Sequence, residues 1–229
     1  MNPLLCLELY NQIVEITHMS CNQYCCIFRG KNGKTWSRSG TVKRMECNFT
    51  KYVEEIQNRC DLSRLVKFEI YDKPQGTQKW DLEKHRYGFH VDEDENGSFN
   101  LSLIFPNDLL QQQIICLWNL FSEYYDMKYM VSFSLEASKK PEIYMYGMPI
   151  YPLEADVNTY YSDVEKLIVQ RLYALRRCKT DNLEGVFPLC IVTEEVLIDE
   201  STYSFKEKIG ARATLLRKFS EEWSAPKTN

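Results

Sequence analysis

The chain has 229 residues, 44% hydrophobic and 26% charged, with a net charge of −4 at neutral pH. This balance supplies a substantial core and excludes a disordered chain. The acidic balance argues against a dedicated nucleic-acid binder, although a local basic patch can coexist with it.

Residues 3 to 17 of "MNPLLCLELYNQIVEIT" read as a helix, capped by Asn2 and opened by Pro3. The segment has no basic n-region, and Glu8 and Glu15 interrupt its apolar run, so it does not read as a signal peptide. No stretch approaches the roughly 18 to 20 apolar residues of a membrane span. The expectation is a cytoplasmic protein without a membrane partner. The nine cysteines are odd in number and irregular in spacing, which suits reduced thiols better than a disulfide framework.

"HMSCNQYCC" brings His18, Cys21, Cys25 and Cys26 close in sequence. A structural zinc site needs a second ligand pair downstream, and Cys25 and Cys26 point to opposite faces of a strand. Buried thiols and no metal are expected. "YCCIFRGKNGKTWSRSG" then reads as two strands around Asn32-Gly33. Arg29, Lys31, Lys34, Arg38, Lys43 and Arg44 lie in the segment 29–44 without a single acid, with Trp36 among them. Cations beside a stacking ring make this segment the alternative, nucleic-acid-binding candidate. Its plainer reading is a solvated basic hairpin.

"NFTKYVEEIQNRC" places Phe49, Tyr52, Val53 and Ile56 at helical spacing, and "LVKFEIY" alternates as a strand. A loop, "DKPQGTQKWDLEK", follows. Next comes "HVDEDENGSFNLSL", residues 90–103, which opens like a calcium loop. Such a loop needs a Glu at its twelfth position and flanking helices, but Leu103 stands there and the flanks alternate at period two. A hairpin with the three-residue loop Glu95-Asn96-Gly97 pairs Val91 with Leu101 and Phe89 with Leu103. Its apolar side chains then share one face. Gly97 is expected in the left-handed conformation. Asp92, Glu93, Asp94 and Glu95 occupy the tip and opposite face, as a solvated turn or a surface for a basic partner.

Pro106 and Asn107 stop the strand before the helix "DLLQQQIICLWNLFSEYY". "YMVSFSLEA" reads as a strand, and "EIYMYGMPIYP" as a short strand into a loop. Val164, Leu167, Ile168, Arg171, Leu172 and Leu175 fall at helical spacing, "VFPLCIVTEEVL" is a mostly buried strand, and Phe205, Ile209, Ala213, Leu216 and Phe219 predict a final helix. Adjacent strands joined by hairpins among helices give an α+β fold with a largely antiparallel sheet. One domain is expected over 1–223, with a flexible tail at 224–229.

No G-x-S-x-G, H-E-x-x-H, Walker A or G-x-G-x-x-G motif occurs. Cys25 and His90 are the residues an unrecognised enzyme would use, but neither stands in a catalytic motif. The chain reads as a non-enzyme without a cofactor.

"PLCIVTEEVLIDESTYSFKEKIGARATLLRKF" resembles the C-terminal part of a bacterial polymorphic-toxin immunity family, immunity protein fifty-two. That family shows a buried strand, a Thr-Glu or Asp-Glu turn, a short acidic linker and an Ala-Arg-rich helix. The matching positions here are Ile191 to Glu195, Asp199 to Glu200 and Ala211 to Leu216. "SLIFPNDLLQQQIICLWNLFSEYYDMKYMVSF" is similar to the family's strand, long helix and aromatic turn. The chain departs from the family at its first strand, where "YCCIFRGKNGKTW" replaces a Gly/Tyr/Trp/Pro-rich run. The resemblance implies a cytosolic, non-catalytic protein that binds a toxin domain, often a nuclease, and blocks its active site. Asp92, Glu93, Asp94 and Glu95 are the expected contacts, with Glu194, Glu195, Asp199 and Glu200 as a second acidic patch.

Overall fold

The computed structural model describes residues 3–30, 33–44, 64–72, 88–93, 99–104, 109–133 and 182–218, with the helical positions Lys51, Glu54, Leu167, Ile168, Gln170, Arg171, Ala174 and Leu175. The fold is α+β with two antiparallel sheets. The sequence reads as one domain; the structure groups into two compact units, Met1–Pro106 and Asn107–Asn229.

The first unit opens with helix α1 (Pro3–Thr17). Cys6, Leu9, Tyr10 and Ile13 form its buried stripe, at the i, i+3, i+4, i+7 spacing that one helix face requires. The helix lies against a five-stranded sheet of β1 (Gln23–Arg29), β2 (Thr35–Thr41), β3 (Arg64–Tyr71), β4 (Gly88–Glu93) and β5 (Phe99–Ile104). The strand order is β2-β1-β3-β4-β5. One sheet face carries Tyr24, Cys26 and Phe28 of β1, Phe68 and Ile70 of β3, and Phe89 and Val91 of β4, all buried. Phe68 and Phe89 meet edge to face with centroids 6.1 Å apart. A buried bond ties the helix to the entry of β1: the Cys21 N–H donates to the Tyr10 hydroxyl at 2.8 Å.

The β4–β5 register pairs Val91 with Leu101 and Phe89 with Leu103, as the alternation of apolar residues requires. The conformation of Gly97 lies outside the described residues. So do the short strand expected at 142–152, most of the helix expected at 48–60 and the tail.

The second unit contains helix α2 (Gln111–Tyr124) and the strands β6 (Tyr129–Ser132), β7 (Leu189–Thr193), β8 (Phe205–Ile209) and β9 (Ala213–Arg217). Its strand order is β6-β7-β9-β8. The helix begins at Gln111, past Asp108 where the sequence suggested it; the Leu110 N–H donates to Gln113 Oε1 at 2.9 Å and closes its first turn. Ile114 and Trp118 of α2 bury against Leu189, Ile191, Ala213 and Leu215. The opposite face packs Cys190, Val192 and Leu216 with Ile168, Leu175, Leu183, Phe187, Val196 and Tyr203. Ile168 and Leu175 are buried as their helical spacing predicts, while Leu167 is exposed.

The final helix expected over Phe205–Phe219 is not formed. Residues 205–217 fold as a hairpin in which Ile209 pairs with Ala213 and Phe205 with Arg217. Gly210 opens the turn at φ +60°, a conformation that a helix interior does not contain. The Ala-Arg-rich helix implied by the family resemblance is therefore replaced here by a turn and a strand. No helix among the described residues is long and apolar enough to cross a membrane.

Candidate functional site

Strand direction decides where the charged hairpin ends lie. β1 and β4 are each antiparallel to β3, so they run the same way. The β1–β2 turn after Arg29 and the β4–β5 turn after Glu93 therefore leave the same end of the sheet. Two strand spacings, about 10 Å, separate β1 from β4. At that end the register sets Asp92 between Lys67 of β3 and Asn100 of β5, and Glu93 opposite Phe99. The tip residues Asp94 and Glu95 lie outside the described residues. Asp92 and Glu93 thus stand at the end of one hairpin, and Arg29 and Lys34 stand at the same end of the other.

The basic segment does not form one patch. Arg29 and Lys34 are exposed at the turn end of β2, Arg38 is exposed at its centre, and Lys43 and Arg44 are exposed beyond its far end. Seven strand residues span about 20 Å. Trp36 is half-buried and sits opposite Phe28 on the core side of the sheet. It lines the edge of the core rather than offering an outward stacking platform. Lys31 lies outside the described residues.

Two acids of the second group, Glu194 and Glu200, face lysines of their own unit. Lys206 Nζ lies 2.7 Å from Glu200 Oε2, and Lys208 Nζ lies 3.7 Å from Glu194 Oε1. Asp199 Oδ1 accepts from the Ser201 N–H at 3.1 Å and the Ser201 hydroxyl at 2.6 Å. Those bonds hold the Asp199 carboxyl below its ordinary pKa. They also cap the 3-10 turn Glu200–Thr202. Glu195 is exposed in the turn that follows β7. The lysines come from β8, a strand that the sequence reading took for helix, so this pairing was missed. The i, i+2 spacing of Lys206 and Lys208 is the signal that could have shown it.

The second face of the five-stranded sheet is polar. One row crosses all five strands in register: Ser39, Cys25, Glu69, His90 and Ser102. Lys67 Nζ lies 3.3 Å from Glu69 Oε2, with both side chains mostly covered. Burial and the nearby Glu69 and Cys25 push the Tyr71 hydroxyl pKa up, against the opposing Lys67. His90 is fully buried. Cys25 and His90 therefore share a face, but Glu69 stands between them and they are two strands apart. That spacing of about 10 Å is too long for a direct Cys–His hydrogen bond.

The His18–Cys26 cluster is dispersed. Cys21 and Cys26 are buried, while Cys25 points to the other face. The His18 N–H donates to Val14 O at 2.8 Å, at the end of α1. Burial pushes the Cys21 thiol to about 12, with Asp72 adding to the rise and the Tyr10 bond opposing it. Burial likewise pushes Cys6 to about 12 and raises Cys26. Such thiols are neutral and poor nucleophiles. Among the described residues no three His, Cys, Asp or Glu side chains converge to hold a metal ion.

Comparison with protein-family models, curated proteins and solved structures finds no match.

Proposed function

We propose that the chain is an interaction protein without chemistry of its own, an immunity-type inhibitor that binds a cognate toxin domain in the cytoplasm and covers its active site. One observation carries this reading: the β4–β5 register brings Asp92 and Glu93 to the closed end of an outer hairpin, with Asp94 and Glu95 next in the chain. Toxin domains that cleave nucleic acid hold phosphates with cations. A hairpin that carries consecutive carboxylates in its sequence can occupy such a site. Long-range attraction then speeds association, and complementary charge selects the partner. In the second unit Glu195 is a separate exposed acid, whereas Glu194, Asp199 and Glu200 are held by Lys208, Ser201 and Lys206.

The nucleic-acid alternative for Arg29–Arg44 is weaker. Its cations are strung along a strand, and Trp36 is turned toward the core.

The test is co-expression with the product of the adjacent gene, which should be a toxin domain. The protein should restore growth, and the purified pair should bind more weakly as salt rises. Reversing Asp92, Glu93, Asp94 and Glu95 to Lys should abolish rescue and flatten the salt dependence. Unchanged affinity and salt dependence would remove the acidic tip as the contact.

A further inference from the structure

The four outer strands of the two sheets differ in how they guard their edges. β6 is only four residues long. β8 carries Lys206, Glu207 and Lys208 at its centre. β5 keeps Leu101, Ser102 and Leu103 half-buried. Among the described residues, β2 is the outer strand that is both long and open, with Thr35, Ser37, Arg38, Ser39 and Thr41 exposed. Its pairing with β1 runs over seven residues without a bulge, and the strand contains no proline. Bulges, prolines and clustered charge are the usual devices that blunt an edge.

The hydrogen-bond phase of β2 shows which backbone groups face outward. Gly30 N–H donates to Lys34 O at 2.9 Å, and Val42 N–H donates to Asn22 O at 3.0 Å. Bonded pairs alternate along an antiparallel ladder, so Trp36, Arg38 and Gly40 direct their N–H and C=O groups at β1. Thr35, Ser37, Ser39 and Thr41 direct theirs away from it. The outward residues are all small hydroxyl residues, which leave those groups approachable.

Charge selects the occupant. Arg29 and Lys34 stand at one end of the strand, Arg38 at its centre, and Lys43 and Arg44 beyond the other end, with no acid from 29 to 44. A second copy of β2 centred on Arg38 would set Arg38 against Arg38, and like charges directly opposite repel. An extended acidic segment meets the opposite sign along the whole edge. From this open, cation-flanked edge we infer that β2 is a docking strand that adds an extended acidic segment of a partner protein to the five-stranded sheet. Backbone bonds from Thr35, Ser37, Ser39 and Thr41 supply the register, and the flanking cations supply the preference for acid. This surface is distinct from the acidic β4–β5 tip, and its failure would leave the toxin reading standing.

The probe is a capped octapeptide of alternating Val and Glu, added to the full chain. Amide hydrogen exchange is followed at β2. The peptide should slow exchange at Thr35, Ser37, Ser39 and Thr41, while Trp36, Arg38 and Gly40 change little. A Val/Lys peptide should give no protection, and N-methylation of alternate residues in the Val/Glu peptide should abolish it. Arg38→Glu should weaken binding by up to about fivefold, the size expected of one exposed charge pair. Ser39→Pro should abolish binding and keep the fold, because a proline is tolerated where an edge N–H faces solvent. Protection equal with the N-methylated or Val/Lys peptide would overturn the inference. So would absent protection, protection by an oligonucleotide but not by the peptide, or concentration-dependent pairing of the chain through β2.

Discussion

The two units treat charge and thiols differently. In the first, cations and carboxylates gather at hairpin ends and along an open strand, and Cys6, Cys21 and Cys26 are buried near α1 and β1. In the second, the acidic linker is clasped by lysines of β8, and Cys190 is buried beside Tyr203, its thiol 3.4 Å from the Tyr203 hydroxyl. The second unit thus pairs Glu194 and Glu200 within itself, while Glu195 stays exposed. The first pairs Lys67 with Glu69 on its polar face and keeps Arg29, Arg38 and Lys43 exposed. Surface composition alone would have ranked the two acidic groups equally.

The largest expected effect is alkaline. Burial raises the thiols of Cys6 and Cys21 to about 12 and that of Cys190 to about 11. An unfolded thiol releases its proton near its ordinary value, while the folded one keeps it. Stability is therefore intact below pH 9 and falls as pH rises from there toward 11 or 12, by up to about 1.4 kcal/mol per pH unit for each thiol. Denaturant unfolding from pH 8 to 11 measures the slope. Cys21→Ala and Cys190→Ala should each flatten it. A slope unmoved by Cys21→Ala would mean that the first unit does not shield that thiol.

Core truncation comes next. Phe68 and Leu215 are both fully buried, one in each unit. Phe68→Ala should lose about 3–5 kcal/mol and Leu215→Ala about 2–5 kcal/mol by calorimetry or denaturant titration. A loss below about 1 kcal/mol at either site would show a core able to collapse around the gap.

The glycines test the region where sequence and structure part. A Cβ on Gly185, at φ +63°, would lie 2.2 Å from Thr202 Oγ1, while one on Gly210, at φ +60°, would meet nothing within 4 Å. Gly185→Ala should therefore lose more stability than Gly210→Ala, which bears only the left-handed penalty of about 1–2 kcal/mol. If residues 205–219 were helical, Gly210→Ala would instead gain about 1 kcal/mol. The sign of that one change separates hairpin from helix.

The strand was hidden for a physical reason. β9 is buried on both faces, so Ala213, Leu215 and Leu216 erase the alternation that marks a half-exposed strand. Phe205, Ile209 and Ala213, four apart, also fit one helix face, and Gly210 with Thr214 was the contrary signal. β4–β5 was legible because each of its apolar residues obeys period two, which leaves only one register that keeps Phe89, Val91, Leu101 and Leu103 together. The candidate surfaces were legible as residue runs. Their meaning was not, because strand order and ion-pair partners are long-range properties. Nothing in "TWSRSGT" says that it forms an edge.

The smallest effect bears most directly on the contrast between the acidic groups. Lys206 and Glu200 are both about half exposed, so their 2.7 Å pair is well screened. Lys206→Gln should lose at most about 1 kcal/mol, and the loss should vanish at high salt. A larger, salt-insensitive loss would mean that the pair organises the 3-10 turn rather than only balancing its charge. The linker acids would then be structural in origin, and their resemblance to a contact surface would follow from the need to hold β8. If the loss is small, as expected, Lys206→Gln makes Glu200 available without disturbing the fold. The same variant then shows whether a freed acid in the second unit can bind the partner that the proposed function assigns to the first.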